Sequence, residues 1–161
     1  MATTRITVLV VAALVFITTV NLRRGEPSRD AWAIGALRAI TSAQAAYVSA
    51  NGGYAPSLTA LAAACPQASQ GFVPPNLADD PTIRMGYEIR VQTEDGARPG
   101  PADCNGVATS TGYYATSTPV PGTPNAGRAF ATDRSGVIWY DTSGIPPRLP
   151  FKETGTIKRL Q

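Results

Sequence analysis

RDAWAIGALRAITSAQAAYVSANGGYAPSLTAL, residues Arg29–Leu61, decides the fold. Ser28 in front of it is a helix N-cap, and Asp30 in the first turn complements the helix dipole. Apolar residues then recur at steps of three and four: Ala33, Ile34, Leu37, Ile40, Thr41, Ala45, Tyr47 and Val48. That spacing puts one stripe of a long helix against a core, with Ile34, Leu37, Ile40, Tyr47 and Val48 as its large core-facing members. Arg38, Ser42 and Ser49 fall on the other side, and the many alanines keep the helix slim. Asn51-Gly52-Gly53 stops it, because glycine adopts the left-handed conformation that closes a helix. Tyr54 is expected to fold back on the helix end. Pro56 opens a short second helix ending near Ala64, with Leu58 and Leu61 facing the same core.

Upstream lies ITVLVVAALVFITTVNL, residues Ile6–Leu22, unbroken by charge. As a helix it extends about 25 Å at roughly 1.5 Å per residue, slightly short of a bilayer core of about 30 Å. Arg5 and Arg23 can snorkel to make up the difference. Two readings compete, a retained anchor carrying Ile6, Val10, Leu14, Phe16 and Val20 in lipid, and a cleaved signal peptide. The anchor is preferred, since no small-x-small cleavage site follows the run. Arg23, Arg24 and Arg29 outnumber Arg5, which by the positive-inside bias holds the domain in the cytoplasm. The cysteines point the other way. The chain has two, Cys65 and Cys104, both in loop-like surroundings and in no CxxC spacing. A disulfide between them is preferred over two free thiols, placing the domain outside the inner membrane, in the periplasm or at the cell surface.

Downstream the composition turns to strands and loops. Residues 65–80 read as a loop pinned by Phe72 and Val73. Arg84–Gln92 alternates Met85, Tyr87, Ile89 and Val91 with small or charged residues, as in a sheet with one wet face. Glu88 and Arg90 belong to that wet face. Residues 97–110 are expected to be an insertion, and residues 112–118 a second strand. Arg128–Asp141 forms a hairpin around Arg134-Ser135-Gly136, with Trp139 and Tyr140 on opposite faces. Tyr113, Tyr114 and the exposed one of that pair are either a binding patch or ordinary sheet packing, the latter preferred. Residues 149–161 read as a frayed, solvated tail whose Lys152, Lys158 and Arg159 are too few for nucleic acid.

Composition narrows the chemistry. The 161 residues contain no histidine, which removes Ser-His and Cys-His pairs, the histidine base and nearly all zinc sites. Asp79, Asp80, Asp133 and Asp141 read as turn formers and reproduce no calcium-loop spacing. No catalytic residue, cofactor site, metal site or small-molecule substrate is evident. The chain divides into an anchor and linker (residues 1–27), an α+β domain (28–148) and a tail (149–161). The fold class is α+β: a membrane helix and a long amphipathic spine packed on a small antiparallel sheet.

Three segments carry a resemblance. The spine AIGALRAITSAQAAY (Ala33–Tyr47), the turn NGGYAPSLTAL (Asn51–Leu61) and the hairpin RAFATDRSGVIWYD (Arg128–Asp141) are similar to those of type IV pilins and type II secretion pseudopilins. The opening MATTRITVLV lacks that family's Gly-Phe junction and the glutamate that follows it. The resemblance implies a non-enzymatic, membrane-anchored structural subunit whose partners are membrane lipid and other pilin-like subunits. A non-polymerising envelope-anchored binding domain on the same scaffold is the alternative.

Overall fold

The computed structural model describes residues 28–124 and 127–160. The anchor positions Ile6, Val10, Leu14, Phe16 and Val20 lie outside them, and no helix among the described residues is long and apolar enough to cross a membrane.

The described chain is α+β. Helix α1 spans Arg29–Asn51 and α2 spans Leu58–Ala62. Strands follow at β1 (Thr82–Arg84), β2 (Tyr87–Thr93), β3 (Pro99–Ala102), β4 (Ala108–Ser110), β5 (Tyr113–Pro119), β6 (Ala129–Asp133), β7 (Trp139–Asp141) and β8 (Ile157–Arg159). Six of them form one antiparallel sheet in the order β1-β2-β5-β6-β7-β8, while β3 and β4 pair separately.

The helix begins and ends as its caps dictate. Ser28 Oγ accepts the Ala31 N–H at 3.1 Å, satisfying one of the free donors of the first turn. Gly52 closes the helix at φ 79°, its N–H donating to the Val48 carbonyl. The short α2 starts from Ser57, not Pro56, because the Ser57 hydroxyl takes the Ala60 N–H and the Asp80 carboxylate takes that of Leu58.

The buried stripe of α1 is Ala33, Ala36, Leu37, Ile40, Ala43, Gln44 and Tyr47. Leu37, Ile40 and Tyr47 are core as expected. Ile34 and Val48 are only half-buried, and Ala45 is exposed, because each sits one step round the helix from the stripe. Gln44 holds the loop beyond the helix: its side-chain amide donates to the Ala55 carbonyl and accepts the Ala55 N–H, both at 2.9 Å. This reciprocal pair lets a polar side chain sit in the core without an unmet hydrogen-bonding group.

The stretch Arg84–Gln92 is not one strand. Met85 (φ 52°) and Gly86 (φ 79°) both lie in the left-handed region and form the two-residue turn between β1 and β2. Met85 is therefore exposed at the turn rather than in line with Tyr87, Ile89 and Val91, which are buried. Tyr54 pairs through its backbone with Ser110, its ring meets Tyr113 at 5.2 Å, and it borders the same small pocket as Thr41, Ala45 and Val48 of α1. The expected tail is ordered too. Residues 157–159 pair with β7 in the register Trp139↔Arg159, Tyr140↔Lys158 and Asp141↔Ile157, so they form one border of the sheet.

Candidate functional site

Side chains alternate along a strand, so the registers sort the sheet into two faces. On one face the rows Val91–Ala115–Thr132 and Ile89–Ser117–Phe130–Tyr140 meet α1. On the other, the rows Gln92–Tyr114–Asp133 and Arg90–Thr116–Ala131–Trp139–Arg159 point away from the helix.

The helix-covered face is tied at both ends of α1 by a tyrosine hydroxyl on a carboxylate. At the N-terminal end, Tyr87 of β2 donates to Asp30 Oδ1 at 2.6 Å, and Arg128 meets Asp30 Oδ2 at 2.7 Å. The Arg128 guanidinium also lies 5.5 Å from the Phe130 ring centre and 5.2 Å from that of Tyr140, a cation–π placement. At the C-terminal end, Tyr47 donates to Asp103 Oδ2 at 2.5 Å, while the backbone N–H groups of Asn105 and Val107 donate to Oδ1. Burial alone pushes the Asp103 carboxyl up, but the hydrogen bonds from Tyr47, Val107 and Asn105 outweigh it and hold it below the usual carboxylate range. Burial and then the facing carboxylate push both tyrosine hydroxyls well above their ordinary value.

Cys65 and Cys104 form a disulfide with Cα atoms 5.5 Å apart. It fastens the loop after α2 to the loop that carries Asp103. Asn51 at the end of α1 accepts the Cys104 N–H at 3.2 Å, and Phe72 packs edge-on to Tyr47 at 5.0 Å, so the helix end, both loops and the bridge form one corner.

The helix-free face carries a cleft of about 1030 Å³. Between β7 and β8 the chain crosses this face as a proline-rich strap, held by the Tyr114 hydroxyl donating to the Pro147 carbonyl at 2.6 Å. Phe151 of the strap stacks on Trp139 at 5.6 Å and 26°, and meets Tyr114 at 6.3 Å. All three rings are half-buried. Three guanidinium groups line the cleft, those of Arg134, Arg148 and Arg159, with three carboxylates, Glu94, Asp95 and Asp133. Glu94 lies 4.0 Å from Arg134, and Asp133 accepts the Ser135 N–H and hydroxyl. Among the described residues Arg148 and Arg159 make no ion pair.

Of the tyrosines and tryptophan singled out in the sequence, Tyr113 is core, with its hydroxyl 3.4 Å from Thr41 of α1. Tyr114 and Trp139 share the outer face, where each meets Phe151. Phe151, Arg148 and Arg159 join them from a strap and a strand β8 whose sequence carries only the signals of a loop and a frayed tail. Glu88 and Arg90 pair with each other at 2.5 Å on the exposed sheet face. Asp133 and Asp141 each bind the N–H two residues on, as turn formers do. No family model matches the chain, and neither do curated proteins or solved structures.

Proposed function

We propose that this chain is a non-enzymatic structural subunit of pilin or pseudopilin type, anchored in the bacterial inner membrane by residues 6–22 with its globular domain outside. The observation that carries the reading is a single 23-residue helix laid along one face of an antiparallel sheet, separated in the sequence from an uncharged apolar run by the break Gly25-Glu26-Pro27. In such an arrangement the apolar run holds the membrane and the spine carries the sheet. The disulfide supports the outward placement, because cysteine pairs persist in oxidising compartments. The resemblance of residues 33–47, 51–61 and 128–141 to pilin-like segments supports the subunit role. The test is to cross-link intact cells of the source bacterium and recover the chain with its neighbours. Co-recovery with filament or secretion-apparatus subunits is the expected result. A chain that stays monomeric throughout the inner membrane would overturn the proposal.

A second reading, an anchored binding domain that does not polymerise, is favoured by the cleft on the helix-free face. Shearing the cell surface separates the two, since a polymer is released and a lone anchored domain is not.

A further inference from the structure

We infer that the cleft on the helix-free face binds an acidic oligosaccharide, a chain of sugar rings bearing carboxylates, whether or not copies of the protein polymerise. Three features of the cleft select this class. First, Arg148 and Arg159 stand exposed at its margin with no ion pair among the described residues, one on the strap and one on β8. A guanidinium presents two parallel donors that match a carboxylate, and separate arginines suit carboxylates spaced along a chain. Second, the floor and walls between them offer Gln92, Thr116 and Ser135, with the carboxylates Glu94, Asp95 and Asp133. Amides and hydroxyls both donate and accept, and carboxylates accept, which is the complement of a ring carrying several hydroxyl groups. Third, Tyr114, Trp139 and Phe151 form an aromatic wall. The C–H bonds on a sugar ring carry slight positive charge and suit the negative face of an aromatic ring.

The same observations disfavour other polymers. The floor is a sheet face whose central strand β5 is paired on both sides, to β2 and β6, so an extended peptide would find no free backbone ladder there. The three carboxylates of the cleft can accept from the hydroxyl groups of a sugar chain, whereas a DNA strand has no sugar hydroxyl groups along its length to offer them. The volume, at the upper end of the roughly 300–1,000 Å³ typical of ligand sites, suits an oligomer over a single ring.

The test is calorimetric titration of the full-length protein in detergent micelles with tetragalacturonate, its fully methyl-esterified form and tetraglutamate. Tetragalacturonate is expected to bind saturably, and the neutral ester at least tenfold more weakly. Raising the salt concentration should weaken the uronate further. Arg148→Gln and Arg159→Gln, both at exposed positions that leave the core intact, should each weaken tetragalacturonate about tenfold. Lys158→Gln, beside Arg159 on the strand but pointing to the other face, should leave it unchanged. The inference is overturned if tetragalacturonate does not bind, if tetraglutamate binds as tightly, or if Lys158→Gln loses as much as Arg159→Gln. None of these outcomes depends on polymerisation.

Discussion

The two ends of α1 use the same device with the partners exchanged. At the N-terminal end the helix supplies the acid, Asp30, and the sheet supplies the tyrosine, Tyr87. At the C-terminal end the helix supplies the tyrosine, Tyr47, and a loop supplies the acid, Asp103. The environments differ in what else holds the carboxylate. Asp30 has a cation, Arg128, whose side chain is 39% exposed and therefore screened by water. Asp103 has backbone N–H groups from its own loop and a disulfide next to it in the chain. The N-terminal end thus has redundancy through charge. The C-terminal end depends on loop geometry that the bridge maintains.

Breaking the bridge tests this most severely. Cys65→Ser with Cys104→Ser opens a loop of sequence separation 39. The chain-entropy account puts the loss at roughly 3–4 kcal/mol, to be read from denaturant unfolding. A loss below about 1 kcal/mol would show that the C-terminal corner holds itself. Removing one hydroxyl at each end is the next probe. Tyr47→Phe should cost roughly 1.5–3 kcal/mol, because it withdraws a donor from a buried carboxylate. Tyr87→Phe should cost only about 1 kcal/mol, since Arg128 still holds Asp30. Equal losses would dissolve the distinction between the ends.

Acid sharpens it further. The folded Asp103 carboxyl titrates below its unfolded value, so the folded state binds fewer protons between the two. Its contribution is fully present above about pH 4 and is lost as pH falls through the lower, folded value. Asp103→Asn should therefore be less stable at pH 7 yet show a flatter acid limb in thermal melts between about pH 4 and pH 2. In alkali the sign reverses for Tyr47 and Tyr87. Their raised values make a contribution that is present below about pH 10 and lost as pH climbs toward the folded values. The smallest effect belongs to neither end. Ser117, at 0% exposure between Ile89 and Phe130, has a hydroxyl with no hydrogen-bond partner among the described residues. Ser117→Ala should be neutral or stabilising by up to about 1 kcal/mol, because a desolvated donor disappears with little change of volume.

How far the sequence foretold this depends on the reach of each interaction. The helix, its Ser28 and Gly52 caps and the β6–β7 hairpin are written in neighbouring residues, and they were legible. The disulfide was legible because only two cysteines exist to pair. Asp30 could be read as a dipole partner but not as the acceptor for Tyr87, which lies 57 positions along the chain. Gln44 has no local signal in the sequence that marks it as core, since only its fit to the Ala55 backbone buries it. Met85 alternates with Tyr87 and Ile89 as a strand residue would, and its left-handed turn conformation is uncommon for a side chain of that size. The outer cleft was half visible. Tyr114 and Trp139 stood out as aromatics on strands, but their meeting with Phe151 needs β8 to return beside β7. Three residues paired at a sheet edge leave almost no periodic signal to read.

The brevity of the outermost strands has one further consequence. Both borders of the six-stranded sheet, β1 and β8, are three residues long, and they bear Arg84 at one margin and Lys158 and Arg159 at the other. Short edges bearing like charge give a neighbouring chain little backbone to template on and repel a second copy presenting the same border. The molecule is thereby guarded against runaway ribbon growth, the route by which open sheets turn into amyloid. Any ordered stacking of copies has to be made by surfaces other than its hydrogen-bonding rims.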